Sequence, residues 1–265
     1  MAQGIGVWRE IYDEAAAQPD WWRAHRWGYG EEVARATVED IRRKLAAEPH
    51  HRILEVGCGC GMVLNMLLQD GQRGVGIDLS EDLIRRASDF GVDRTRLDLI
   101  VGEAARLPLC DGMFDRVLCY SVFQCFPDHA YARRCLRELI RVCKPGGTIL
   151  VGDVFGSVDG LRAVSASNGY GRGFFRAAMR LPGMGPVRLA LAPIRWGLAQ
   201  LRGRSRVQCE TEEDVERLFY TRRFFRRIGA RYGCRVEILS QHIAGRESLA
   251  RLRFDVRMTR SGAQQ

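Results

Sequence analysis

Lysine is nearly missing from this chain: of 41 basic residues, only Lys44 and Lys144 are not arginine. That bias excludes little, since arginine carries the same charge and base composition of a genome produces the same effect. Long apolar runs are missing too, and a membrane span needs about 18 such residues. The nearest stretch, Leu181 to Leu201, is broken by Arg188, Arg195, Pro182, Pro186 and Pro193, so an integral membrane protein is not expected. The first residues lack the basic, apolar, small-residue order of a secretory signal, because Trp8-Arg9-Glu10 and Asp13-Glu14 interrupt it, and a cytoplasmic protein is the expectation. No repeat of 20–50 residues is visible. Glycine and proline, 29 and 8 residues, follow no period, which removes collagen-like and low-complexity classes. Cysteine is present but lacks an even framework: nine residues (58, 60, 110, 119, 125, 135, 143, 209 and 234) are spread through apolar segments, as expected of free buried thiols in a reducing compartment.

What is there is enough apolar material for a sizeable core, 46% of 265 residues, which excludes disorder as the dominant state. The formal charge of +9 permits an anionic partner without identifying one. From His51 to Phe155, short apolar runs alternate with amphipathic ones, the pattern of strand–helix units around a parallel sheet. Strands are predicted at Arg52–Val56, Gly74–Asp78, Leu97–Val101, Phe114–Tyr120 and Thr148–Asp153, with helices at Gly61–Leu68, Ser80–Phe90 and His129–Val142. Ser80 reads as a helix cap with Glu81 and Asp82 at the positive end of the helix dipole. Lys144-Pro145-Gly146-Gly147 reads as a stop and turn after the third of these helices. Upstream, an amphipathic helix is expected over Glu31–Ala47. Downstream, the pattern predicts an acid-first helix from a Thr211 cap to Arg231, then strands at Arg235–Ser240 and Leu249–Met258.

The chemistry sits at Ile53-Leu54-Glu55-Val56-Gly57-Cys58-Gly59-Cys60-Gly61: an apolar strand, an acid near its end, and three alternate glycines opening a helix. Glycines at such a turn let backbone approach a ligand closely. The dinucleotide pattern spaces its glycines as G-x-G-x-x-G around a pyrophosphate. Here the third glycine comes one residue early, and Glu55 would repel a pyrophosphate but suits a cation or an ammonium group. Cys58 and Cys60 have no matching second pair at zinc spacing, so they read as structural and no metal site is expected. His50-His51 reads as a loop.

This loop resembles the first motif of class I S-adenosylmethionine-dependent methyltransferases, of the small-molecule group related to the ubiquinone enzymes, and further stretches keep step with that family. Gly76-Ile77-Asp78-Leu79-Ser80 resembles the second-strand end that binds two ribose hydroxyls. Gly102-Glu103-Ala104-Ala105-Arg106-Leu107-Pro108 resembles the segment that meets adenine. Phe114 to Asp128 resembles the fourth strand and its loop, and Arg137 to Gly147 the turn before the fifth strand. The resemblance implies an α/β, Rossmann-like, doubly wound and mostly parallel seven-stranded sheet with an antiparallel last strand, an N-terminal helical extension and an insertion after the fifth strand. It implies the cofactor S-adenosylmethionine, with S-adenosylhomocysteine as product, bound by Glu55, Gly57, Cys58, Gly59, Gly61, Asp78, Leu79, Glu103, Ala104, Tyr120 and Ser121.

Candidates for acceptor contact or proton removal are Tyr120, Gln124 and His129, with Asp153 and Tyr170 beside them. Relatives of this kind often carry a histidine or glutamate pair where this chain has Gln124-Cys125, and neither is a good base at neutral pH. The expected division is an extension at 1–50, a cofactor-binding core at 51–155, a substrate-binding insertion at 156–210, and a final helix with two strands at 211–265. Trp21, Trp22, Trp27 and Tyr29 are expected either to cover the cofactor as a lid, by cation–π attraction to a sulfonium, or to pack a helix on the sheet edge. The insertion has nine arginines up to Arg206 against Asp159 as its one acid there. It suits an anionic small-molecule acceptor, or, through 172–202, a peripheral membrane contact. The expected function is methyl transfer to a small molecule. RNA methylation is the alternative, weakened by the lack of a visible RNA-binding module, and a catalytically silent cofactor-binding scaffold is another.

Overall fold

The structure is a computed structural model that describes residues 3–24, 30–156, 206–208, 216–241 and 253–262. Nine strands appear: β1 Ile53–Val56, β2 Gly74–Asp78, β3 Leu97–Val101, β4 Phe114–Tyr120, β5 Cys143–Phe155, β6 Arg206–Gln208, β7 Glu216–Leu218, β8 Cys234–Ser240 and β9 Arg253–Arg260. The helices are α1 Gln3–Ala15, α2 Trp21–Ala24, α3 Gly30–Leu45, α4 Met62–Leu67, α5 Glu81–Arg85, α6 His129–Val142 and α7 Arg222–Arg231. Seven strands form one sheet in the order β3-β2-β1-β4-β5-β9-β8. Strands β1 to β5 pair in parallel, and β9 runs antiparallel to both β5 and β8. The chain leaves β1 first toward β2 and then toward β4, and at such a switch point the carboxyl ends of the strands leave a crevice.

Two apolar layers sandwich the sheet. Leu136, Leu139 and Ile140 of α6 and Phe225 and Ile228 of α7 pack with inward residues such as Val117, Ile149 and Val256. Val38, Ile41 and Leu45 of α3 and Val63, Leu64 and Leu67 of α4 pack with Ile53, Leu118 and Leu150. No helix among the described residues is long and apolar enough to cross a membrane.

Four of the expected elements differ. Lys144-Pro145-Gly146-Gly147 is a bulge inside a longer β5, because Cys143 pairs with Phe114 while Thr148 pairs with Arg116, and Gly146 at φ 79° absorbs the extra residues. Helix α5 ends at Arg85 rather than Phe90, passing into turns that close at Gly91, φ 79°. The helix expected from Thr211 starts at Arg222 with Thr221 as its cap, whose hydroxyl accepts from the Phe224 N–H at 3.2 Å, and Glu216–Leu218 is strand. Burial decides this: Tyr220 is fully enclosed, its N–H donates to the Phe155 carbonyl at 2.8 Å and its hydroxyl to the Phe123 carbonyl at 2.7 Å, which requires extended chain there. The last strand runs to Arg260 rather than Met258. Thr211, Tyr170 and the 172–202 patch lie outside the described residues, as does most of the expected insertion.

An ion-pair cluster joins the two ends of the chain. Lys44 of α3 donates to Asp255 of β9 at 2.6 Å and also to Asp40 one turn back. Asp255 is wholly buried, and it also accepts from the Asp153 N–H at 2.8 Å and Gln241 at 2.9 Å. Removing one partner of a buried pair strands the other charge, at about 3–5 kcal/mol. Asp255→Ala is therefore expected to lower the unfolding free energy by about 3 kcal/mol or more in urea titration. An unchanged midpoint would show that the cluster does not hold α3 to β9.

Candidate ligand cavity at the carboxyl ends of the central strands

Between β1 and α4 the backbone folds back on β2. The Gly57 and Cys58 N–H groups both donate to the Ile77 carbonyl, at 2.7 and 3.1 Å. Gly57 sits at φ 78°, and a Cβ there would lie 2.2 Å from a Val122 methyl, so no other residue allows this path. The Asp78 carboxylate ties the loop down from β2: Oδ2 accepts from the Gly59 N–H at 2.7 Å and Oδ1 from the Ser80 N–H at 2.8 Å. Burial raises the Asp78 pKa against the lowering effect of these N–H groups and of the Leu79 N–H, a further backbone hydrogen-bond donor, and Asp13 of α1 raises it further.

Glu55 is 2% exposed, and its Oε2 has no hydrogen-bond partner among the described residues. Burial pushes its pKa well above the ordinary carboxylate range, a Leu64 backbone hydrogen bond opposes this, and the nearby Asp78 adds to it. A buried carboxylate oxygen without a partner is costly unless a cationic or hydrogen-donating group meets it.

These residues open onto a cavity partly continuous with solvent, with about 950 Å³ of empty space when that open part is counted. Among the described residues its wall includes three acids, Glu55, Asp78 and Glu103, against one cation, Arg9. An acidic pocket in a chain of net charge +9 is a local choice, not a reflection of composition. Of the residues named from sequence, Glu55, Gly57, Gly59, Asp78, Leu79, Glu103, Ala104, Tyr120 and Ser121 line this cavity. Cys58, Gly61, Gln124 and His129 do not. Cys58 is enclosed beside Gly76 and Gly61 caps α4. Gln124 is buried with its Oε1 unpartnered among the described residues. The His129 ring is packed on Tyr220 and Phe224 with Nε2 at 3.0 Å from the Phe219 carbonyl. Asp153 is bound to Arg253 at 2.7 Å, away from the wall.

Of the four aromatic residues expected as a lid or as edge packing, two fall within the described residues. Trp21 and Trp22 pack with α3 and α4, which is the edge-packing alternative, while Trp27 and Tyr29 lie outside the described residues. Helix α1 brings two rings to the cavity wall, Trp8 and Tyr12, 6.2 Å apart, with Ile5 and Arg9 beside them, and Tyr120, Phe126 and Tyr131 line it from the other elements. The spacing of Ile5, Trp8, Arg9 and Tyr12 is that of one face of a helix, a signal legible in the sequence. Helix α1 is latched to α5, as the Ser80 hydroxyl donates to Asp13 at 2.5 Å and Arg86 donates to the Ala16 carbonyl. Tyr131, from α6, lines the cavity beside Glu103, and burial first, then the charge of Glu103, raises the Tyr131 pKa. Far from this crevice, Glu48, His50 and His51 bring ligand atoms within 4.8 Å of one another, but His51 Nδ1 already accepts from the Glu48 N–H at 2.9 Å.

Residues 54–151 match the family model described as a methyltransferase domain. The chain is 29% identical over 138 residues to the uncharacterized methyltransferase YcgJ of Bacillus subtilis, covering 49% of this chain and 53% of that one. It is 30% identical over 152 residues to the malonyl-[acyl-carrier protein] O-methyltransferase of Serratia marcescens, covering 51% and 56%. The chain thus spans about half the length of these curated relatives, and less of several others. Among solved structures, the magnesium protoporphyrin IX methyltransferase of Synechocystis, with bound SAH, shares the fold at TM-score 0.59 and 16% identity, covering 98% of this chain and all of that one.

The Glu55 shift has a defined sign. A carboxyl whose pKa is raised by folding stabilises the fold below its ordinary value of 4.5, and that contribution is lost as pH rises through the raised value. Glu55→Gln is therefore expected to melt at a higher temperature than the parent at pH 7 without ligand, the gap closing as pH falls below about 4.5. Parallel melting curves across that range would refute the burial argument.

Proposed function

We propose that the class I S-adenosylmethionine-dependent methyltransferase domain at residues 54–151 makes this chain an enzyme that methylates a small-molecule acceptor. The observation that carries the reading is the unpartnered, buried Oε2 of Glu55 in an acidic cavity beside a glycine loop that admits no side chain. A donor with an α-ammonium group, a sulfonium and ribose hydroxyls offers what such a wall lacks. Glu55 would receive the ammonium group. Asp78 would receive ribose hydroxyls, and Glu103 an amine of the base. Trp8 and Tyr12 would cover the cationic centre and keep water away. Cys58 and Gly61 would serve by shaping the loop backbone.

S-adenosylmethionine supplies a methyl group already activated by positive sulfur. The protein's task is then alignment and exclusion of water rather than activation. No imidazole lines the cavity among the described residues, and Gln124 is a poor base, so an acceptor that is nucleophilic without losing a proton suits the site best. Support for a small acceptor comes from the enclosed crevice and from the name of the protoporphyrin enzyme that shares the fold. The arginine-rich segment after β5 favours an anionic acceptor, and a cytoplasmic, biosynthetic setting fits the chemistry.

Isothermal titration with S-adenosylmethionine and S-adenosylhomocysteine is expected to show binding of both. Asp78→Asn is expected to weaken each by about tenfold to a hundredfold, the loss of charge-assisted hydrogen bonds of roughly 1.5–3 kcal/mol. Incubation with methyl-labelled cofactor and host extract is expected to place label in the small-molecule fraction. Label in RNA, with affinity falling steeply as salt rises, would transfer the reading to nucleic acid, and binding without label in any fraction would favour a silent scaffold.

A further inference from the structure

We propose that Ser121 presents a hydrogen-bond acceptor, and no donor, to the positively charged part of the cofactor, and that Asp153 and Arg253 are positioning residues that keep it so. This rests on the reading of the cavity as a cofactor site.

The first observation is conformational. Ser121 directly follows β4 and Asp153 lies at the register shift within the neighbouring β5, and both adopt left-handed backbone, φ 60° and 58°. A non-glycine residue in that region costs about 1–3 kcal/mol and persists only where its surroundings over-determine it. Glycine at Ser121 would remove the cost, yet the chain has a serine there, on the cavity wall.

The surroundings supply the determination. The Ser121 N–H donates to the Gly152 carbonyl at 3.1 Å, and its hydroxyl donates to Asp153 Oδ2. Asp153 is 2% exposed. Both its oxygens lie 2.7 Å from one nitrogen of Arg253, on β9, and Oδ1 also accepts from Gln241 at 3.3 Å. The Asp153 N–H is taken by Asp255 at 2.8 Å, the acid held by Lys44. The Arg253 guanidinium lies 4.3 Å from the Phe155 ring centre, so its position is set from two sides.

The chemistry follows from counting protons. A carboxylate paired with arginine stays ionised and can only accept. The serine hydroxyl has one proton and gives it to Asp153. What remains on Oγ is lone pairs, so the group adds to the acceptor character that Glu55, Asp78 and Glu103 give the wall. A neutral hydroxyl free to rotate would present its proton as readily as its lone pairs. Fixing it in this sense disfavours any hydrogen-bond acceptor of a ligand at that point and favours a cation.

The test uses Ser121→Gly, which relieves the backbone and removes the hydroxyl. Calorimetric binding is compared for S-adenosylmethionine, S-adenosylhomocysteine and 5′-methylthioadenosine, the last having neither ammonium nor sulfonium charge. The variant is expected to melt no lower than the parent, yet to bind S-adenosylmethionine about tenfold more weakly while 5′-methylthioadenosine is unaffected. A matching loss for S-adenosylhomocysteine assigns the acceptor to the ammonium group, and no loss there assigns it to the sulfonium. Equal weakening of all three, or of none, overturns the proposal. Asp153→Asn, whose amide can donate to Oγ and release the hydroxyl proton, is expected to reproduce the selective loss; if it does not fold, Ser121→Gly decides alone. A parent protein that binds none of the three refutes the cofactor reading itself.

Discussion

The arrangement of this molecule turns on a carboxylate that burial disfavours. Glu55 lies on a central strand, flanked by β2 and β4, with one oxygen unpartnered in an enclosed space. Nothing in the folding of the apolar core requires an acid there, and a hydrophobic residue would fit the strand better. Its presence makes sense if the site is completed by a cation. The rest of the crevice follows the same electrostatic sense: Asp78 and Glu103 reach it from the next two strands, and Ser121 is turned into an acceptor by an ion pair behind it.

Holding such a wall together needs support from outside the glycine loop. The residues that supply it are far apart in sequence. Lys44 precedes the first strand, Asp153 lies near the end of the fifth, Gln241 directly follows β8, and Arg253 and Asp255 belong to β9. Together they place β9 beside β5 and tie both to α3. Building the crevice is thereby coupled to completing the sheet, since its Ser121 side is ordered only when the last strand has docked. The latch of α1 on α5, through Asp13 and Ser80, adds the aromatic cover from the other end of the chain.

Much of this was legible beforehand, and the reason is period. Buried parallel strands read as apolar runs, so β2, β3 and β4 match their expected ends, and α6, with its Asp128 cap, matches too. The glycine loop was legible because its conformation excludes other residues. Where competing signals met, the sequence misled. Within the expected helix, burial of Tyr220 requires extended chain before Thr221, so the described part is strand at Glu216–Leu218 and helix only from Arg222. The tryptophan pair drew attention from Trp8 and Tyr12, whose helical spacing is the truer sign of a covering face. His129 and Gln124 sat near the right strand end but are turned into packing.

The strand spans of the core and the glycine turn were determined by sequence alone, because each depends on local periodicity or on a residue type that a backbone path demands. Which aromatic rings cover the crevice, which named residues face away from it, and what Ser121 offers to a ligand were decided only in three dimensions. These depend on contacts between residues a hundred positions apart, such as Asp153 with Arg253. Pairings of that kind leave no periodic trace in a chain read one residue at a time.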